Sequence, residues 1–433
     1  VYKKLYFFIY FLFGKGDRKM KIANRMFYLR ATYDLLKTKM RSNVNAKIKV
    51  GFMVRMIELI NKCKPLIDNL LADERFEVYI LCVPSNIEDG RLIKSENNND
   101  IYEYCKQFYS NSINTLNTNG TWVDIKEYDL DYVFYSHPYD SVYPHFYKSK
   151  NVCKWSKICV LLYGMLLTKE MLNIMLNKKF FRNVYLYFAE TSYVRDFNIN
   201  RFPITHKFGL QKSICLGMPS LQDIYSRKCL DYKKSLAWTF SENIFRVIWT
   251  PRYTTRLKLG GSNFFTYYKE LIEYADSHKD IDFLFRPHPL TFKNFIKTGE
   301  MTETEVLEFQ SAIRKRKNVA LDVEKEYVDT FLSSSVLVTD ISSIMAEYFV
   351  TGKPIIYCAS NMTLEVAEHT QRIIDGCYVV YNKKELFSCL AKLKNGIDEL
   401  KGIRESIVTE LFGDYLKCST EKIVEEIVSD YNV

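Results

Sequence analysis

The chain has 433 residues, 47% of them hydrophobic and 26% charged, a composition that suits a soluble protein of two domains and excludes a disordered or fibrous one. Its net charge of +10 is concentrated at one end: residues 1–50 carry thirteen Lys and Arg against two acids, so that segment is +11 and the remainder sums to −1. Eleven cysteines are scattered singly with no C-x-x-C spacing, which argues against a zinc site or a disulfide framework and for reduced core thiols in the cytoplasm.

In chain order, residues 1–45 read as a basic appendage. The apolar run "LYFFIYFLF" is nine residues long, too short to span a bilayer and without a cleavage site after it. Two readings fit it: a helix lying on an anionic membrane, or a helix packed on the protein's own core with a solvated basic face. Nucleic acid is disfavoured because no binding module accompanies the charge.

Residues 46–230 read as one α/β domain. Strands are predicted at 47–54, 76–84, 131–136, 157–163, 184–190 and 213–219, with Pro65 placed in the first turn of the intervening helix. The stretch 225–242 breaks the rhythm and marks a crossing. Residues 231–433 then form a second α/β domain, with strands at 245–251, 281–289, 319–323, 335–340 and 354–358 and helices near 263–278, 302–315 and 342–351. Two doubly wound domains facing across a cleft would place a ligand beyond the carboxyl ends of their strands.

Two strand ends carry chemistry. In "VTDISSIMAEYFVTGKPIIY" (338–357) the strand ends at Thr339, and Asp340 or Ser342 is suited to cap the next helix. Ser343 and the free amides would then meet an anion, most simply a phosphate; the alternative is an ordinary capped helix. Glu347, one turn on, is a candidate ribose contact or a solvated helix face. In "FLFRPHPL" (283–290), Arg286 and His288 stand two apart between prolines, so both are expected on one side of an extended chain, suited to a phosphate that gains charge.

These stretches resemble the carboxyl half of the CDP-glycerol glycerophosphotransferase family, the teichoic-acid and capsule polymerases and primases of bacteria. The resemblance rests on "RPHP" followed by "TDISSIMAEYFVTGKPIIY", with weaker support from "VIWTPRYTTR" and "CLGMPSLQDIY", and is best from about 213 to 358. It implies a GT-B architecture whose second domain binds the nucleotide through Arg252, Thr339, Asp340, Ser342, Ser343 and Glu347. Arg252 stands where the family has Thr, and Ile341 replaces a Tyr. The family's His-Gly, whose His acts as base, is here Tyr163-Gly164, and a phenol of ordinary pKa near 10 is a poor base. His137, in "FYSHPYD", is the substitute candidate.

The expected activity is transfer of glycerol- or ribitol-phosphate from a CDP-linked donor to a hydroxyl of a cell-surface glycan or lipid-linked acceptor, with CMP released, at the inner face of the membrane. His288, Arg286 and His137 would be catalytic, and no cofactor or metal is required. The alternatives are a GT-B glycosyltransferase using a nucleotide sugar, and a non-catalytic scaffold in capsule assembly. The two Asp-x-Asp matches, 129–131 and 280–282, precede strands and read as turns. No G-x-G-x-x-G, P-loop or H-E-x-x-H occurs.

Overall fold

The structure, a computed structural model, describes residues 47–88, 91–92, 99–228, 237–239, 244–256, 261–359 and 365–432. The basic appendage lies outside the described residues. The chain's described residues form two compact units: 47–163 with Asn173–Gln222 and 418–432, and Gly164–Leu172 with the described part of 223–417. The chain thus passes between units at 163–164, 172–173, 222–223 and 417–418, and its last residues return to the first unit.

The first unit holds a seven-stranded parallel sheet. Its strands are β1 (Ile48–Val54), β2 (Phe76–Cys82), β5 (Ser112–Asn114), β6 (Tyr132–Tyr135), β7 (Lys157–Leu161), β8 (Leu186–Ala189) and β9 (Lys212–Cys215), in the order β5-β2-β1-β6-β7-β8-β9. β3 (Ile87–Glu88) and β4 (Arg91–Leu92) form a separate antiparallel hairpin. β1 is buried at every position but Lys49, as its predominantly apolar run requires of a central parallel strand. Order reverses between β1 and β6, both of which pair with parallel neighbours. A crevice at the carboxyl ends of two such strands is where an open α/β sheet binds its ligand.

The helix Ile57–Ala72 places Pro65 in its interior and not in its first turn. An interior proline donates no hydrogen bond to the carbonyl four residues back. The helix absorbs that loss because Leu59, Ile60, Cys63, Leu66, Ile67 and Leu70 all bury one face. At the other end of the chain, Asp430 enters the same unit as a buried anion. It accepts from Lys157 Nζ at 2.6 Å, Lys212 Nζ at 2.9 Å, Tyr132 Oη at 2.8 Å and Tyr185 Oη at 2.5 Å. Partners on β6, β7 and β9 and on Tyr185 just ahead of β8 therefore fasten the final helix, Tyr415–Asn432, to the sheet.

The second unit holds a six-stranded parallel sheet, β10 (Phe245–Thr250), β11 (Ile281–Phe285), β12 (Val319–Leu321), β13 (Val336–Thr339), β14 (Ile355–Cys358) and β15 (Tyr378–Val380). The order β12-β11-β10-β13-β14-β15 is that of a dinucleotide-binding sheet, 3-2-1-4-5-6, with the switch point between β10 and β13. Trp249, Phe264, Phe283 and Phe285 fill the core beneath it. The predicted strands of both sheets are present, trimmed by one to four residues at their ends, with β9 also beginning one residue earlier than expected. β5, β15 and the hairpin were not predicted; the first two are three-residue strands at the sheet edges, too short to show a period.

Candidate functional site

The stretch 338–357 sits at the switch point of the second sheet. β13 ends at Thr339, and the helix Ser343–Phe349 follows with Ser342 at the cap position in extended conformation (φ −159°, ψ 162°). Neither side chain caps it in the expected way: Ser342 makes no capping bond, and Asp340 is buried and turned elsewhere. The Asp340 carboxylate accepts from the Arg252 amide at 2.7 Å, from the Asn263 amide at 3.2 Å, from Asn263 Nδ2 at 2.9 Å and from Ser262 Oγ at 3.4 Å. It therefore joins the loop after β10, the start of the helix Phe264–Ser277 and the end of β13. Burial raises its pKa, and the amides of Arg252 and Asn263 oppose the rise without cancelling it.

Thr339 serves the same junction. It is fully buried; its hydroxyl donates to the Thr250 carbonyl at 3.0 Å and accepts from Thr250 Oγ1 at 2.8 Å. Its side chain is thus spent within the sheet and supports the crevice from below. Arg252 donates its amide to Asp340 and its Nη1 to the Ile341 carbonyl, while its buried Nε has no partner. The guanidinium lies close enough to His288 to lower the imidazole's pKa, burial being the larger cause.

His288 as a residue is exposed, but its ring is packed beside Tyr253, centroids 4.9 Å apart, and it is this local burial of the ring that lowers its pKa. Its Nδ1 accepts the Leu290 amide at 3.1 Å, so the neutral ring carries its proton on Nε2. With its pKa below the ordinary imidazole value, the side chain is a neutral hydrogen-bond donor at pH 7 and not an imidazolium.

Arg286 does not share this setting. β11 ends at Phe285, so the extended geometry that would align residues 286 and 288 has ended before either. Arg286 turns to the β12 side, where Nη1 meets the buried Asp322 carboxylate at 2.5 Å, Nη2 meets the Glu324 carbonyl at 2.6 Å, and the guanidinium covers the Tyr327 ring at 5.0 Å. Tyr327 in turn donates to Glu347. Glu347 is buried, so neither the solvated-face reading nor an open ribose contact describes its position. Arg286, Asp322, Tyr327 and Glu347 form a wall behind the crevice, and both terminal nitrogens of the Arg286 fork are already occupied.

Gly164 belongs to this unit and reaches the same corner. A Cβ built on it would lie 2.9 Å from Ser343 Cβ and 3.3 Å from Ser343 Oγ, so the approach to the helix start requires glycine. The segment it begins is anchored by the Thr168–Val366 bridge and by the Lys169 and Ala367 amides, which donate to the Glu365 and Leu167 carbonyls at 2.9 Å each. Tyr253 and Asn263 are members of this corner that the sequence reading passed over, and Gly164, noted there only as part of Tyr163-Gly164, is a third. The Ser-Asn pair opening a helix after Gly260-Gly261 was the available signal for Asn263.

In the first unit, His137 follows β6 at that sheet's switch point. Its ring packs edge-on to Tyr139 and Tyr163, at 4.7 and 5.7 Å, and its buried Nδ1 has no partner among the described residues. Burial and the Arg55 charge lower its pKa to about 4. Among the described residues no group of His, Cys, Asp and Glu is arranged to hold a metal.

Residues 244–428 match the family model described as CDP-glycerol:poly(glycerophosphate) glycerophosphotransferase, a span that contains Arg252, His288 and the whole 338–357 corner. This segment belongs to that family. No curated protein matches the chain. Among solved structures, a putative UDP-N-acetylglucosamine 2-epimerase from Listeria monocytogenes is similar with a TM-score of 0.59 at 13% identity, over 89% of this chain and 97% of that one. The S. aureus MnaA–UDP structure gives 0.58 at 15% identity, over 89% and 97%. The wall teichoic acid polymerase TagF, from a CDPG soak, gives 0.53 at 12% identity, over 96% and 98%. These likenesses establish the fold, a GT-B-like protein of two Rossmann-like units.

Proposed function

We propose that the protein transfers a polyol phosphate, glycerol- or ribitol-phosphate, from a CDP-activated donor to a hydroxyl of a glycan or lipid-linked acceptor. The observation that supports this reading is the coincidence of the family match with the switch-point corner of the second unit, where Arg252 bonds the Ile341 carbonyl just ahead of Ser342 and Ser343 and its charge acts on His288. The donor's diphosphate lies there, on the amides of residues 342–344 and the two serine hydroxyls, with the Arg252 guanidinium compensating its charge.

In the reaction, the acceptor oxygen bonds to the phosphorus that carries the polyol. The anhydride bond to CMP breaks, and CMP departs with the electron pair. His288 donates Nε2–H to a phosphoryl oxygen as negative charge grows. Arg286 holds the crevice wall through Asp322 and Tyr327 and is a positioning residue. The acceptor proton needs a base; His137 is the first unit's candidate, acting as a neutral imidazole at pH 7. The +11 appendage supports apposition to an anionic membrane surface, and among the described residues no helix is long and apolar enough to cross a membrane.

A second reading, a transferase fold retained as a scaffold, is favoured by Tyr163 in place of the family's His and by the weak basicity of His137. Incubating the full chain with CDP-glycerol or CDP-ribitol and an acceptor-bearing membrane fraction separates the two. CMP formation is expected from the transferase. Absence of CMP, together with absence of stabilisation by CDP in a thermal shift, would leave the scaffold.

A further inference from the structure

A cleft of about 1110 Å³ opens in the second unit along β15, the edge strand of its sheet, between the helices Glu368–Asp375 and Lys383–Lys394. Its inner end meets the switch-point corner. Asn263 Nδ2, which donates to Asp340, also donates to the Cys358 carbonyl at 2.8 Å, and the residues on either side of Cys358, Tyr357 and Ala359, line the cleft. Tyr357 is 8% exposed, and burial together with the nearby Asp340 pushes its phenol up to about 12, so it stands there as a neutral hydroxyl. Among the described residues neither that hydroxyl nor Ser388 Oγ, further along the cleft, makes a hydrogen bond. At the outer end stands Tyr381, 56% exposed. The floor is backbone: the Val380 carbonyl accepts the Ala359 amide at 2.9 Å, so strand alternation turns the amide and carbonyl of Val379 to the free edge. A peptide strand could pair with little more than that one residue, because Glu385 holds the Tyr381 amide at 2.8 Å and the Ile374 carbonyl holds the Cys377 amide at 2.9 Å. Around the cleft Lys384 and Lys392 face Asp375, Glu385 and Glu399, two cations against three anions, a balance that does not attract a polyanion.

We propose that this cleft is a carbohydrate subsite that takes a neutral oligosaccharide, its sugar rings running along β15 from the switch-point corner to Tyr381. A pyranose ring has an apolar C–H face and a rim of hydroxyls. The exposed Tyr381 ring offers a flat apolar surface to the face, while Tyr357 Oη, Ser388 Oγ and the free backbone of Val379 offer donors and acceptors to the rim. The volume exceeds the range of about 300–1,000 Å³ that suits a drug-sized ligand, so several linked sugars fit and not one alone. The inference rests on the transferase reading in one respect: it makes the oligosaccharide part of the acceptor, held in the cleft while its terminal hydroxyl reaches the corner.

The test titrates the full chain with three neutral hexamers, maltohexaose, cellohexaose and hexa-N-acetylchitohexaose, and with a glycerol-phosphate trimer as the anionic control, by calorimetry and saturation-transfer NMR. Wild type is expected to bind at least one hexamer saturably. Tyr381→Ala should weaken that binding about fivefold or more, and Tyr381→Phe, which keeps the ring, should stay within about twofold of wild type. Tyr357→Phe, which removes a single oxygen, should weaken it about threefold. Melting midpoints measured alongside report the fold, which the exposed Tyr381 side chain does not support. The inference is overturned if no hexamer binds, if Tyr381→Ala binds as wild type does, or if the glycerol-phosphate trimer binds through Tyr381 and the hexamers do not. A chain that binds a hexamer through Tyr381 and shows no thermal shift with CDP keeps this subsite and loses the transferase reading; one that releases CMP from CDP-glycerol and binds no hexamer loses this subsite alone.

Discussion

Replacing Asp340 tests whether the switch-point corner is held by one buried carboxylate. Asp340→Ala removes the acceptor of the Arg252 amide, the Asn263 amide and Asn263 Nδ2, the three shorter of its contacts. At about 1 kcal/mol for each donor deprived of its acceptor, the cost is about 3 kcal/mol, reduced to the extent that a buried carboxylate no longer has to be desolvated. Asp340→Asn keeps the volume but presents one amide nitrogen to a donor. If that nitrogen faces Asn263, the Asn263 amide cannot flip to receive it, because its Nδ2 also donates to the Cys358 carbonyl at 2.8 Å. The asparagine variant should therefore lose about 1–2 kcal/mol, less than alanine. Urea unfolding followed by circular dichroism and by fluorescence of Trp249, which lies on β10 one residue before Thr250, measures both. An alanine variant within about 0.5 kcal/mol of wild type would show that the corner is held by something other than Asp340.

His288→Ala should lower CMP release about a hundredfold or more with the fold intact, the scale of losing one donor to a developing oxyanion; because the ring's pKa lies below 6.5, the wild-type rate should show no inflection from His288 between pH 6.5 and 8. Ser342→Ala and Ser343→Ala should each weaken CDP binding a few-fold, and the double change more than either alone, read by calorimetry; unchanged affinity in the double variant would move the phosphates elsewhere. For Asp430, burial raises the pKa but the Lys157 charge and the bonds from Lys157, Lys212 and Tyr185 outweigh it, holding the folded pKa well below the ordinary 3.8. The stability this gives is present above pH 3.8 and lost as pH falls toward the folded value, so Asp430→Asn should cost about 3 kcal/mol at pH 7 and flatten the acid limb of the unfolding curve. Deleting residues 1–20 should reduce binding to anionic liposomes, and salt should weaken binding of the intact chain; an intact chain that ignores such liposomes at low salt refutes membrane apposition.

The alternation of apolar runs and helical stretches revealed both sheets, because a parallel strand buried on two faces cannot hide its composition: β1, β7, β10 and β13 were all visible as predominantly apolar segments. The corner at 338–357 was legible as a strand end with polar residues before a helix. What the sequence could not assign was the partner of each polar group. Asp340 has the residue type of a cap, but capping needs its oxygen to face the helix it precedes, and the three donors on the β10 loop and the Phe264–Ser277 helix lie 77 to 88 residues away in sequence. Arg286 and His288 share a spacing that means one face only while the chain stays extended, and the strand stops at Phe285. Glu347 reads as a helix-surface acid, yet the helix is buried on nearly every side, so its carboxylate had to find Tyr327 inside.

The two units solve the same problem differently, and the contrast bears on which half binds what. Each places an arginine just beyond the first strand of its sheet, Arg55 after β1 and Arg252 after β10, and a histidine beyond a neighbouring strand. Arg252 has a built-in counter-charge: its amide is held by Asp340 and its Nη1 by the Ile341 carbonyl, and the carboxylate's field acts on its guanidinium. Such an arginine is oriented before any ligand arrives and remains tolerable when none is present, which suits a donor site that must release CMP after each transfer. Arg55 has only the Ser85 carbonyl and no carboxylate among the described residues. Its burial is met by one carbonyl alone, so Arg55 is the costlier of the two guanidinium placements.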